Sequence, residues 1–161
     1  MAIPAPTRPK MQNYGISDQA EGMLTWDYVR EQMTQSRNYW ISSTKPDGNP
    51  HAAPVWGVWV DDTLYFGVGT SSRKARNFKA NPQIVVHTES GDEVVIINAT
   101  VTAVAEDVAL RQQIVAAYST KYAMPVNMDD QDAAWYTLKL DSVLAWKEHD
   151  FPKTATRWDF P

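Results

Sequence analysis

Short runs of β-branched and aromatic residues, separated by turn signals, constrain the fold of this chain more than any other feature. The clearest turn is Pro46-Asp47-Gly48, because proline presets φ and glycine accepts a positive φ. This turn joins a predicted strand at 38–43 to a second at 51–60. Asp61-Asp62 then leads into a third strand at 63–68, which predicts a hairpin.

The rest of the chain continues this pattern and adds helices. The further predicted strands are 83–88, 94–104 and 134–147, of which the first two form a hairpin. The predicted helices are 25–37 with Thr25 as its cap, 73–80, and 107–121 with Asp107 as its cap. We therefore expect an α+β fold with a mainly antiparallel, six-stranded sheet and a few flanking helices. Closure into a small barrel would hide the unpaired strand edges.

Length, charge and composition exclude several classes of protein. The 161 residues predict one domain, expected at 23–150, with an N-terminal tail at 1–22 and a C-terminal tail at 151–161. The net charge of −4 argues against a dedicated nucleic-acid-binding protein. With no cysteine, disulfides, thiolate metal sites and cysteine nucleophiles are excluded. No apolar run approaches the ~20 residues that span a bilayer, and no secretory signal is recognisable, so a cytoplasmic location is expected.

The sequence offers no recognisable set of catalytic side chains. His51, His87 and His149 are far apart and lack metal-ligand spacing, so no metal site is expected. No glycine-rich nucleotide motif, nucleophile motif or paired carboxylates stand out. Chemistry supplied by a bound cofactor fits this absence better than side-chain catalysis does.

The best candidate for a binding site is the stretch 71–80. Four of its ten residues are basic and none is acidic. Gly69, Ser71 and Ser72 precede the basic residues at a predicted junction between a strand and a helix. Free N–H groups, hydroxyls and cationic side chains at such a junction bind anions. The two interpretations are a phosphate site and a solvated basic helix face, and the pattern alone leaves both open.

Motifs in this order and spacing resemble those of the pyridoxamine 5′-phosphate oxidase-like flavin-binding split barrels, over about residues 24–158. They are Ser72-Arg73-Lys74-Ala75, Asn77 and Asn81-Pro82, preceded by Ile41-Ser42-Ser43-Thr44, Asp47-Gly48, Pro50-His51, Pro54-Val55-Trp56, Trp59 and Leu64-Tyr65-Phe66. Pro-His-x-x-Pro-Val-Trp with Ser-x-Lys-x-x-Asn is more similar to the branch that binds the deazaflavin coenzyme F420. Thr154-Ala155-Thr156-Arg157-Trp158 resembles the same branch.

The resemblance implies a six-stranded split barrel and a homodimer with two cofactor sites at its interface. Ser72, Arg73 and Lys74 would hold the cofactor phosphate, and the resemblance places Ser71, Asn77 and His51 in the same site. The walls of the ring site would be Pro54, Val55 and Trp56, joined by Arg157 and Trp158 from the tail of either subunit. Arg76 and Lys79, about one turn apart on one helix, would meet the anionic glutamyl tail of F420.

The expected function is an oxidoreductase that transfers a hydride between F420 and a small unsaturated organic substrate. No catalytic side chain is assigned. The chain lacks the C-terminal Arg-x-His of the true pyridoxamine phosphate oxidases, so vitamin B6 oxidation is not expected. The alternatives are an FMN-dependent reductase or oxidase, a non-catalytic flavin- or F420-binding protein, and a nucleic-acid-binding barrel that uses residues 73–79. The net charge disfavours the last of these.

Overall fold

An antiparallel sheet of eight strands, curled into a half-barrel, forms the centre of the computed structural model, which describes residues 1–161. The strands are β1 Tyr39–Thr44, β2 Pro50–Val55, β3 Gly57–Val60, β4 Thr63–Gly69, β5 Gln83–His87, β6 Glu93–Ala103, β7 Ala133–Lys147 and β8 Thr156–Asp159. The helices are α1 Trp26–Gln35, α2 Arg73–Ala80, α3 Val108–Tyr122 and α4 Phe151–Thr154. The fold class is therefore α+β, as predicted.

The strand order β2-β1-β5-β6-β7-β4-β3 explains how the sheet curls. β2 and β3 lie at opposite ends of this order, yet only Trp56 separates them in the chain. The segment 50–60 thus pairs with β1 through its first half and with β4 through its second. This change of partner brings the two ends of the sheet together.

The prediction of one unbroken strand at 51–60 is wrong at Trp56. Pro54 has no N–H to donate to a neighbouring strand. Gly57 lies so close to β4 that a Cβ on it would be 2.8 Å from the carbonyl oxygen of Tyr65. Alternation of side chains continues through this point, so the sequence pattern alone does not reveal the change of partner.

The predicted count of six strands is too low by two, because the predicted strand 51–60 forms both β2 and β3 and because β8 was taken as part of a tail. β8 pairs with residues 142–145 of β7. Its Trp158 is only 1% exposed and meets the ring of Trp26 edge-on, with centroids 5.4 Å apart. Burial of this indole against α1 fixes the end of the chain on the barrel.

The first 25 residues contain no helix or named strand, but they are fastened to the C-terminal segment. Thr7 forms an isolated bridge with Arg157. The Arg8 guanidinium donates hydrogen bonds to the carbonyl oxygens of Gln19, Glu21, Lys153 and Ala155. One cationic side chain therefore ties the two ends of the chain together.

Most local predictions are confirmed. The β3–β4 and β5–β6 hairpins form, and the side chain of Asp107 caps α3. Thr25 occupies the N-cap position of α1, but its hydroxyl makes no capping hydrogen bond. The structure contains no helix long and apolar enough to span a bilayer.

Candidate functional site

The two faces of β2 present different residues. His51 lies opposite Ser43 of β1 in the register, and Ser43 is buried beneath α2. Pro54 lies opposite Trp40, which is 36% exposed on the outer face of the sheet. Because paired residues point to the same side of a sheet, His51 faces α2 and Pro54 faces outward. The predicted site residues are thus divided between the two sides of this strand.

The start of α2 has the geometry expected of an anion site. The hydroxyl of Ser72 accepts a hydrogen bond from the N–H of Ala75 at 3.2 Å and so fixes the first turn. Arg73 and Lys74 follow immediately as the first helical residues. The free N–H groups of this turn and two cationic side chains lie together at one end of the helix.

Asn77 anchors α2 to the sheet beside His51. It is completely buried, and its Nδ2 donates to the Oγ of Ser43 at 2.9 Å. Its Oδ1 and the Nδ1 of His51 are both buried without a hydrogen-bond partner. Two unpaired polar atoms next to the cationic end of α2 fit a polar ligand, since buried polar groups are normally hydrogen-bonded.

Positive charge surrounds His51. Partial burial lowers the pKa of His51 below its usual value, and the charges of Lys74, Lys45 and Arg73 lower it further. None of these three cations takes part in any of the five salt bridges of the chain. We call Lys45, His51, Arg73 and Lys74 the anion cluster. Cations held together without acidic partners favour the binding of an anion.

Sequence analysis did not identify Lys45 as a site residue, although the hairpin that contains it was predicted. The Pro-Asp-Gly turn sets the β1–β2 hairpin, whose register continues from Ser43 and His51 to Thr44 and Pro50. Lys45 follows directly at the turn. Counting along this hairpin places its charge at the same end of β2 as His51.

Arg76 and Lys79 have different neighbours. The Arg76 guanidinium folds back and donates to the carbonyl oxygen of Ser71 at 2.5 Å. Lys79 lines a groove on the other flank of α2. Both side chains are exposed, but the structure does not present them as one pair of cations.

The residues predicted to line a ring surround the break between β2 and β3. Val55 is a core residue, so that chiefly its backbone is available to a ligand. The indole of Trp56 stacks on the ring of Tyr122, with centroids 4.6 Å apart and planes 5° apart. The guanidinium of Arg37 lies 5.5 Å from the Trp56 ring centroid. One face of the indole is therefore occupied within the chain.

The end of α3 holds this break in place. The hydroxyl of Tyr122 accepts a hydrogen bond from the N–H of Gly57 at 2.9 Å. Lys121 Nζ donates to the carbonyl oxygen of Gly57 at 3.0 Å and to the hydroxyl of Tyr39 at 2.7 Å. Burial and the nearby charge of Arg37 lower the pKa of Lys121 to about 8. Sequence reasoning missed this contact because it joins residues 64 and 65 positions apart.

The two predicted tail residues point in opposite directions from β8. Trp158 is in the core, where its side chain offers no surface to a ligand. Arg157 lies opposite Leu144 on the outer face, and its guanidinium binds Asp159. Within one chain, neither side chain joins the anion cluster.

Comparison with known proteins identifies a family whose model matches this chain. The pyridoxamine 5′-phosphate oxidase family model matches residues 25–147. Among solved structures, an F420 reductase is 20% identical with a TM-score of 0.56, over 71% of this chain and 94% of that one. A conserved hypothetical protein from Mycobacterium tuberculosis is 17% identical with a TM-score of 0.67, over 86% and 90%. The heme storage protein HutZ from Vibrio cholerae is 16% identical with a TM-score of 0.57, over 71% and 88%.

At these identities the similar structures show the fold alone. Among proteins of curated function, none matches the sequence.

Proposed function

Because the chain belongs to the pyridoxamine 5′-phosphate oxidase family, we propose that it binds a flavin-type cofactor through the cofactor's phosphate. The observation that carries this proposal is the anion cluster. Arg73 and Lys74 lie at the capped start of α2, and none of the cluster's cations takes part in a salt bridge. A phosphate there would accept hydrogen bonds from Arg73, Lys74 and the first N–H groups of α2.

The ring of the cofactor would lie along the free edge of β2. This strand pairs only with β1, so its other edge keeps backbone donors and acceptors unpaired. Pro54 and Trp56 flank that edge with apolar surface. A flat ring with a polar rim fits such a wall, because small-molecule sites combine apolar area with a few placed polar groups.

We propose coenzyme F420 as the cofactor, with FMN as the alternative. The F420-branch motif Pro50-His51-x-x-Pro54-Val55-Trp56 surrounds the free edge of β2, and an F420 reductase is among the similar structures. When bound, F420 supplies a hydride donor or acceptor. The residues of this chain hold the phosphate, orient the ring and exclude water. In the free protein, partial burial and the charges of Lys74, Lys45 and Arg73 lower the pKa of His51.

The proposed reaction is hydride transfer between reduced F420 and a small unsaturated organic substrate. Bound reduced F420 would supply the hydride to one carbon of the substrate double bond, and water would supply the proton to the other carbon. No side chain described here is assigned as the proton donor.

We also propose that the chain forms a homodimer through the outer face of its sheet. A row of paired residues crosses this face from Pro54 through Trp40, His87, Ile96 and Leu144 to Arg157. An antiparallel sheet that faces water normally presents polar residues there. Four of these six residues are apolar, which favours coverage by a second copy. Pro54 and Arg157 would then approach the partner's cofactor site.

The experiment is a pair of titrations of the purified protein, one with F420 and one with FMN, followed by ring fluorescence. We expect F420 to bind at least about tenfold more tightly than FMN, which corresponds to ~1.4 kcal/mol. Tighter binding of FMN would replace F420 by FMN in the proposal, and binding of neither would overturn it. If F420 binds but its reduced form is never oxidised by activated alkenes, the protein is a non-catalytic binder.

A further inference from the structure

A groove of about 290 Å³ lies beside the second half of α2, away from the anion cluster. Ala75 and Lys79 face it, and they are four residues apart on one side of the helix. Arg73 and Asn77, also four residues apart, lie on the other side, towards the cluster. The helix therefore separates two recesses with different linings.

The walls of the groove are apolar and partly aromatic. The ring of Phe78 meets the ring of Tyr136 edge-on, with centroids 5.2 Å apart. Val101 of β6 and Ala134 of β7 complete the apolar lining. Its volume lies at the lower end of small-molecule pockets, which are typically about 300–1,000 Å³. A flat molecule of two or three rings matches this size and these walls.

Lys79 supplies the only charge in the lining. It is exposed and takes part in no salt bridge. Two uncharged residues of the lining, Thr70 and Tyr136, carry hydroxyls, and Thr70 directs its N–H and its hydroxyl to the carbonyl oxygen of Asp132 at 2.9 and 3.4 Å. No carboxylate lines the groove, so an anionic group is the natural partner of the lysine.

We propose that this groove binds a small, flat apolar molecule with a single anionic group. Its rings lie against Phe78 and Tyr136, and its anionic group pairs with the ammonium of Lys79. The groove lies on a different flank of α2 from the anion cluster and shares no residue with it.

The test uses 1-anilinonaphthalene-8-sulfonate as an anionic probe and N-phenyl-1-naphthylamine as a neutral probe with similar rings. Fluorescence titration of the wild type should show saturable binding of both. Lys79→Ala should weaken sulfonate binding about two- to fivefold, the range of a partly exposed ion pair, and leave the neutral probe unchanged. Lys79→Arg should restore the sulfonate affinity.

Two further variants locate the probe. Ala134→Leu fills the groove and should abolish saturable binding of both probes. If that variant does not fold by circular dichroism, Thr70→Phe blocks the mouth from an exposed position. Lys74→Ala is the matched control and should leave probe binding unchanged.

The proposal is overturned if the wild type shows no saturable binding. It is also overturned if Lys74→Ala weakens the sulfonate while the groove variants do not, because the probe then occupies the anion cluster. Cofactor titrations of Ala134→Leu should match the wild type. Failure of the wild type to bind either cofactor counts against the proposed function alone.

Discussion

At the scale of single residues, the pKa of His51 is sensitive to the charge of the anion cluster. Its pKa is lowered by partial burial and by Lys74, Lys45 and Arg73. An anion bound among these cations offsets their charge, so the pKa of His51 should rise on binding. By linkage, the anion should then bind more tightly as the pH falls through the pKa of His51.

The measurement is a histidine NMR titration with and without inorganic sulfate, whose charge is constant over the titration range of histidine near pH 6.5. The resonance that is lost in His51→Gln belongs to His51. We expect a pKa below 6.5 in the free protein and a higher value with sulfate. His149 is exposed between Glu148 and Asp150, outside the anion cluster, and its resonance serves as the internal control for effects of sulfate elsewhere on the protein. An unchanged His51 pKa at saturating sulfate would contradict anion binding by the cluster.

Residue-level predictability depended on distance along the chain. Asp107 was recognised as a cap because its side chain bonds an N–H only three residues later. The sequence does not predict the burial of Asn77. It also does not predict the contacts that Lys121 and Tyr122 make with Gly57. These contacts exist only after the barrel has brought distant segments together.

At the scale of elements, the change of partner at Trp56 rests on the close approach of Gly57 to β4. A Cβ at this position would lie 2.8 Å from the Tyr65 oxygen and 3.1 Å from a Leu64 methyl carbon. Gly57→Ala should therefore force β3 away from β4 and lower the free energy of unfolding by about 1–3 kcal/mol. Chemical denaturation monitored by tryptophan fluorescence measures this loss.

Gly91→Ala is the matched control. Its Cβ would meet no atom within 4 Å, and its φ is not in the left-handed region. The unfolded chain loses freedom on this substitution, so stability should stay the same or rise by about 0.4–1 kcal/mol. Equal effects of the two variants would mean that the close approach at Gly57 does not matter.

Helices and strands whose turn or cap residues are adjacent in the sequence were predicted. Those that depend on pairing with distant residues were not. The β3–β4 and β5–β6 hairpins have turn residues between their strands, and α2 ends before Asn81-Pro82. β8 is only four residues long and follows a helical turn, and its partner residues are 142–145. Nothing within Thr156–Asp159 distinguishes a strand from an extended tail.

At the scale of the whole molecule, the outer face of the sheet should be buried in a homodimer. Stable interfaces of this kind commonly bury more than about 2,000 Å². Sedimentation should therefore give twice the chain mass of 18.2 kDa at micromolar concentration. Ile96→Glu places a charge in the centre of the face and should produce a folded monomer.

Val108→Glu tests a different surface and serves as the control. Val108 is 71% exposed on α3, away from the sheet. This variant should remain dimeric. A monomeric wild type contradicts the proposed dimer, and dissociation by Val108→Glu instead of Ile96→Glu would assign the interface to α3.

The candidate site illustrates why a whole-molecule property escapes sequence analysis. The composition of the stretch 71–80 predicts anion binding. It does not predict how close this stretch lies to His51. The pairing of His51 with Ser43 and the packing of Asn77 against Ser43 bring the two together. The family resemblance places the motif around His51 and the motif at 72–77 in one site. The fold gives the physical reason, because it brings the two motifs together.

We propose above all that the anion cluster holds the phosphate of a flavin-type cofactor. Its most direct test is the dissociation constant of the tighter-binding cofactor for wild type, Lys74→Ala and Lys139→Ala, measured by ring fluorescence. Lys139 is exposed on β7 outside the cluster. Lys74→Ala should lose a charge-assisted contact of about 1.5–3 kcal/mol, which weakens binding roughly ten- to hundredfold, while Lys139→Ala binds as the wild type does. Unchanged affinity in a folded Lys74→Ala protein would contradict the claim.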